Sequence, residues 1–98
     1  MAGDKKIEQK IKTRIKNVIE WRVKNAKKFY AISKDKDRDD DERKKAYLKS
    51  QELYKEAREY VMDCERLIKD NDIKNKDLTD KIKDYKDKLK ILASETGF

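Results

Sequence analysis

From Asp4 to Thr96 the chain contains no proline and no glycine; its only two glycines, Gly3 and Gly97, sit at the ends. Almost every position between them can propagate a helix. The usual residues for sharp turns, bulges and phosphate-cradling loops are missing. Histidine is absent as well, which removes the commonest acid–base residue and the commonest metal ligand. One cysteine, Cys64, leaves no internal disulfide and suits a reducing compartment. No hydrophobic run approaches the length that spans a bilayer. The first residues carry no apolar signal core, and Ala2 stands where a myristoylation signal needs glycine.

These absences leave little room for catalysis. Ser33, Ser50 and Ser94 have no candidate base beside them in any recognisable motif. Paired carboxylates abound, but a solvated surface gives them no pocket to shift their pKa values. Asp35-x-Asp37-x-Asp39 opens like a calcium loop. Asp40 then stands where the turn needs glycine, and Ala46 where a bidentate Glu is needed, so an acidic inter-helix turn is expected. Cys64 falls on an apolar stripe and reads as a small core residue. Thr96-Gly97-Phe98 fits the loose tail read by strand-addition domains, a match short enough to arise by chance. No enzyme activity, metal or cofactor is expected.

What is present is charge. Charged residues make up 50% of the 98 residues and apolar residues 36%. Such a chain has too little apolar material for a wide core, but enough for a thin core shared by amphipathic helices. The net charge of +7 is unevenly spread. Residues 1–34 carry eleven Lys/Arg against Asp4, Glu8 and Glu20, residues 35–45 are net −1, and residues 46–98 balance. A basic first third points to an acidic partner, or to a solvated face kept for solubility.

Three apolar stripes follow helical spacing. The first, in a helix over about 5–34, runs Ile7, Ile11, Ile15, Val18, Ile19, Val23, Ala26 and Tyr30. At about 100° per residue it covers an arc of about 160°, broad enough to touch two neighbours. Asp35–Arg43 interrupts it; Asp39, Asp40 or Asp41 could cap the next helix, with Asp39 and Glu42 at capping-box spacing. The second helix, about 41–69, aligns Ala46, Leu53, Tyr54, Ala57, Tyr60, Val61, Cys64, Leu67 and Ile68. Asp70–Asp72 and Asn75–Asp77 break that stripe. The third helix, about 77–93, carries Leu78, Ile82, Tyr85, Leu89 and Leu92. Three such helices with short polar turns predict an all-α fold: one elongated, spectrin-like antiparallel three-helix bundle spanning residues 1–98.

Candidate contact residues lie off the stripes. On the first helix Lys10, Thr13, Asn17, Lys24 and Lys28 stand opposite the apolar arc, with Trp21 at its edge. Trp21 reads either as an interface anchor or as packing against a neighbouring helix. On the second helix Leu48 and Met62 each lie seven residues from Lys55 and share its outer stripe. Both faces suit helix-surface protein binding.

Gln9–Ile19 (QKIKTRIKNVI) resembles the opening helix of the tubulin-binding cofactor A (tubulin-specific chaperone A) family. Lys44-Lys45, Ser50-Gln51-Glu52 and Asp63-Cys64-Glu65-Arg66-Leu67 resemble its middle segment, and Asp84-Tyr85-Lys86 with Leu89 and Ile91-Leu92 its last helix. The resemblance covers most of the chain in order. The chain departs from it in a shorter stretch after Cys64, a more basic first helix and a more acidic first turn. It implies a three-helix bundle that captures and holds β-tubulin before α/β heterodimer assembly, with no nucleotide or metal. It also implies a cytoplasmic, cytoskeleton-associated protein, monomeric or weakly dimeric, that engages neither nucleic acid nor membrane. The competing readings are a generic helical adaptor or coiled-coil subunit, and a nucleic-acid binder using the basic helix. The lack of Arg-rich or aromatic-interleaved basic motifs argues against the last.

Overall fold

A computed structural model describes residues 2–98, with side chains from Lys5 onward. Helix α1 (Ala2–Arg14), a π-helical stretch (Ile15–Ile19) and α2 (Glu20–Ser33) form one continuous first rod; α3 (Asp40–Asp70) and α4 (Lys76–Thr96) follow. The described residues include no strand. The three rods make an all-α bundle measuring 55 × 21 × 17 Å, with α2 and α3 as its closest pair.

Side chains available in the sequence carry the turns. Asp39 caps α3, its Oδ1 accepting from the Glu42 N–H at 2.8 Å, and Asp40, Asp41 and Glu42 occupy the positive end of that helix. Arg43 Nε reaches back 3.1 Å to the Ser33 carbonyl and satisfies an orphan acceptor at the end of α2. Asp35 does not open a metal loop. Its Oδ1 accepts from the Asp37 N–H at 3.0 Å, and its Oδ2 lies 3.4 Å from Arg38 Nε.

The second turn is a Schellman motif. Asp72 takes a positive φ of 50°. The Ile73 N–H donates to Ile68 O at 2.9 Å and the Asp72 N–H to Lys69 O at 3.2 Å. Ile73 is buried at 7% exposure, the apolar contact that accompanies this cap. Asn75 then caps α4, its Oδ1 accepting from the Leu78 N–H, and the helix begins at Lys76. Gly97 is also more than a frayed end. With φ 78° it terminates α4 in the left-handed conformation, its N–H donating to Ala93 O at 2.8 Å. The chain then turns back, and the Phe98 ring packs among Tyr30, Tyr47 and Tyr54 at centroid distances of 5.4–6.2 Å. The last three residues are therefore folded onto the bundle and do not form an extended tail.

The core follows the three stripes. Ile11, Ile15, Ile19, Val23 and Ala26 meet Leu53, Tyr54, Ala57, Val61 and Cys64 from α3, and Leu78, Ile82, Leu89 and Leu92 from α4. Ile7, Tyr60, Leu67, Ile68 and Tyr85 pack half-buried at its margin. The first rod solves a phase problem that an ideal helix leaves open. From Ile7 to Val23 the isoleucine and valine positions recur every fourth residue, and each such step advances about 40° on an α-helix. The π stretch inserts roughly one extra residue in a turn, shown by the Glu20 N–H bonding Ile15 O, and takes back about 100°. The 160° arc thereby narrows to about 80°, and Ile11, Ile15, Ile19 and Val23 are all at most 6% exposed.

Ser50 is fully buried between α2 and α3, its Oγ donating to Ala26 O at 2.6 Å. With Ala26, Ala46 and Ala57 it makes a small-residue seam that lets these two helices approach closely. Cys64 is also fully buried. Burial pushes its thiol above the ordinary 9.0, and the Arg14 guanidinium partly opposes the shift. A neutral thiol away from solvent is a packing residue and a poor nucleophile. No helix of the described residues is long and apolar enough to cross a membrane.

Candidate partner-binding surfaces

Three rods packed side by side leave three grooves, and the charge pattern of the sequence makes them chemically different. The first-rod–α4 groove is basic. At its amino-terminal end Lys12 and Lys16 face Lys81 of α4. Farther along, Lys24, Lys27 and Lys28 face Lys88. Among the described residues lining these two stretches the carboxylates are Glu20 and Asp84, and Tyr85 borders both. Ile15 and Val23 supply an apolar floor. Burial raises the Tyr85 phenol above its ordinary value, and the Glu20 carboxylate adds to the shift while Lys88 opposes it. The Asp84 carboxylate, 3.1 Å from Lys88 Nζ, holds that ammonium above its usual value.

The α2–α3 groove has the opposite character. Glu56, Glu59 and Asp63 line it beside Arg22 and Tyr60. Arg22 is anchored by Glu56 Oε2 at 3.1 Å and by Val18 O at 3.3 Å. Its guanidinium lies 5.4 Å from the Trp21 ring centroid and 5.2 Å from that of Tyr60. The α3–α4 groove holds Met62 and Arg58 over Val61 and Leu89, with the Lys86–Glu65 pair at 3.2 Å across it.

All nine candidate contact residues are exposed, yet they do not form one surface. Lys24 and Lys28 enter the basic groove. Trp21 does not pack away between helices. It is 51% exposed, with Arg22 against its ring and Asn25 Nδ2 donating to its carbonyl at 2.8 Å. Lys10, Thr13 and Asn17 remain on the outer face of the first rod and line none of these grooves. On α3, Leu48 is 56% and Met62 48% exposed, with Lys55 exposed between them. Only Met62 borders a groove. The first rod thus offers Trp21 with Lys10, Lys24 and Lys28, and α3 offers Leu48 and Met62 with Lys55.

Reading one helix at a time misses the groove itself. Lys81 and Lys88 are seven residues apart on one face of α4. Their charge cancels in any sum over residues 46–98, but their position does not. Among the described residues no group of three or more potential metal ligands converges. Compared with known protein families, with curated proteins and with solved structures, the chain has no match.

Proposed function

We propose that this chain is a tubulin-folding chaperone that captures β-tubulin and holds it until the α/β heterodimer assembles. The choice of client rests on the resemblance of Gln9–Ile19, the Asp63–Leu67 segment and Asp84–Leu92 to the tubulin-binding cofactor A family. The observation that carries a holding role is the lysine-lined groove between the first rod and α4, together with exposed Trp21 on the first rod and exposed Leu48 and Met62 on α3. A lysine surface steers an acidic client into encounter. Exposed apolar side chains on a rigid helical scaffold supply contact area once it has arrived. Holding needs no bond-breaking chemistry, only a surface that a client can engage. The proposal places the chain in the cytoplasm, associated with the cytoskeleton, as a monomer or weak dimer.

A pull-down from dissociated tubulin tests this. Immobilised chain is expected to retain β-tubulin at low and moderate salt, and the Lys24→Glu/Lys28→Glu variant to retain less while keeping its helical circular dichroism. Failure of the unaltered chain to retain β-tubulin at either salt concentration refutes the reading.

A further inference from the structure

The basic groove is not uniformly basic, and its pattern narrows what can lie in it. Lys12, Lys16 and Lys81 form one cluster, and Lys24, Lys27, Lys28 and Lys88 the other. Between them sit Glu20 and Asp84, flanking Tyr85. Lys16 and Lys24 are eight residues apart, about 12 Å along the rod at ~1.5 Å per residue. The first rod and α4 run parallel, each antiparallel to α3, with Tyr30 and Glu95 meeting at their carboxyl-terminal ends.

We propose that this groove seats an acidic polypeptide segment, in helical form, whose carboxylates are grouped at its two ends and whose middle is neutral or basic. The two lysine clusters take the end carboxylates. Glu20 takes a central lysine or arginine, Asp84 being already paired with Lys88 at 3.1 Å, and Tyr85, Ile15 and Val23 meet apolar side chains between them. Two helices side by side already present the trough into which an amphipathic helix lays one face.

The same pattern disfavours nucleic acid. A phosphodiester backbone carries charge at every step and cannot skip the carboxylates at the centre of the trough. Tyr85 has the Lys88 ammonium 5.0 Å from its ring centroid, which occupies a face that a base would need for stacking. A bilayer surface is flat and cannot enter the trough. The inference deepens the reading of the chain as a binder of an acidic client, without requiring that client to be β-tubulin.

Fluorescence anisotropy with three labelled probes tests it. The first is a helix-forming peptide with glutamates in its first and last turns and one lysine at its centre. The second has the same composition with the glutamates at the centre and the lysine at one end. The third is an oligothymidylate of similar charge. The first probe is expected to bind at least tenfold more tightly than the other two at the same ionic strength. Lys81→Glu/Lys88→Glu should weaken it at least tenfold. Lys10→Glu/Lys55→Glu makes the same charge change outside the groove and should weaken it less than threefold. Equal binding of the two peptides, tighter binding of the oligonucleotide, or equal losses in the two double variants each overturns the proposal. Retention of β-tubulin with an indifferent Lys81→Glu/Lys88→Glu variant would sink the groove and leave the chaperone reading standing. Patterned peptide binding without β-tubulin retention would do the reverse.

Discussion

Removing one residue from the middle of a helix is ordinarily among the harshest changes a bundle can suffer. Deleting Asn17 from this chain should nevertheless be nearly neutral. A single deletion rotates everything beyond it by about 100° relative to everything before it. Within the π stretch that rotation is already present, because the Glu20 N–H reaches five residues back to Ile15 O. Without Asn17 the turn closes as a regular α-turn, and the apolar steps from Ile7 become four, four, three and four. Ile11, Ile15, Ile19 and Val23, each at most 6% exposed, keep their places. The expected change is within about 1 kcal/mol, and it tends toward stabilisation because regular i→i+4 bonding replaces the rarer geometry. Deleting Lys55 is the control. Lys55 is also exposed, but α3 has no widened turn to absorb the loss. Ala57, Val61, Cys64 and Leu67 would swing away from the face that carries Ala46, Ser50 and Leu53. Unburying two or three aliphatic side chains at ~1.5–3 kcal/mol each costs roughly 4–8 kcal/mol, comparable to the whole stability of a small domain. Urea titrations followed by circular dichroism at 222 nm separate the two. A midpoint lowered as far by loss of Asn17 as by loss of Lys55 would refute the phase argument.

Leu53→Ala and Leu89→Ala, at 2% and 4% exposure, should each destabilise the bundle by about 2–5 kcal/mol in the same titrations. A cost near zero at either would mean that its stripe is not buried. Asp72→Gly should stabilise by about 0.5–1 kcal/mol, since glycine adopts the left-handed cap without the steric cost that Asp72 bears at φ 50°. A loss of stability would contradict the Schellman assignment. Cys64, Tyr85 and Lys88 all hold their protons more tightly in the folded chain than in the unfolded one. Their contributions are therefore present at neutral pH and are lost as pH rises above the ordinary values of 9.0 for Cys64, 10.0 for Tyr85 and 10.5 for Lys88. Thermal melts at pH 7, 9 and 10.5 should show a falling midpoint, with a smaller fall for Cys64→Ala. A midpoint that rises over this range contradicts the directions of the shifts.

The fold was largely legible because each stripe could be read from one helix alone. Residues such as Ile19, Val61 and Leu92 declare themselves by spacing, and the cap of α3 narrows by spacing to Asp39, Asp40 or Asp41, of which the structure selects Asp39. Features that depend on a second segment were not legible. Ser50 carries no hydrophobic signal, and its burial follows from the Ala26 carbonyl of another helix. Ile73 lies in a polar turn and is drawn inward by the cap geometry around Asp72. The π stretch was foreshadowed by the four-residue recurrence from Ile7 to Val23, which was read as breadth when it meant a change of pitch. The nominated contact residues proved exposed because a helical wheel predicts which side faces water. It does not predict which exposed sides adjoin. Lys24 and Lys28 thus came to light, while Lys81 and Lys88 across the groove did not.

Sedimentation velocity of the purified chain mixed with dissociated tubulin tests the central claim most directly. The account predicts that β-tubulin moves with the chain in one faster boundary and that the chain alone sediments as a monomer or weak dimer. Separate boundaries for chain and β-tubulin at low salt, with the chain folded by circular dichroism, would contradict it.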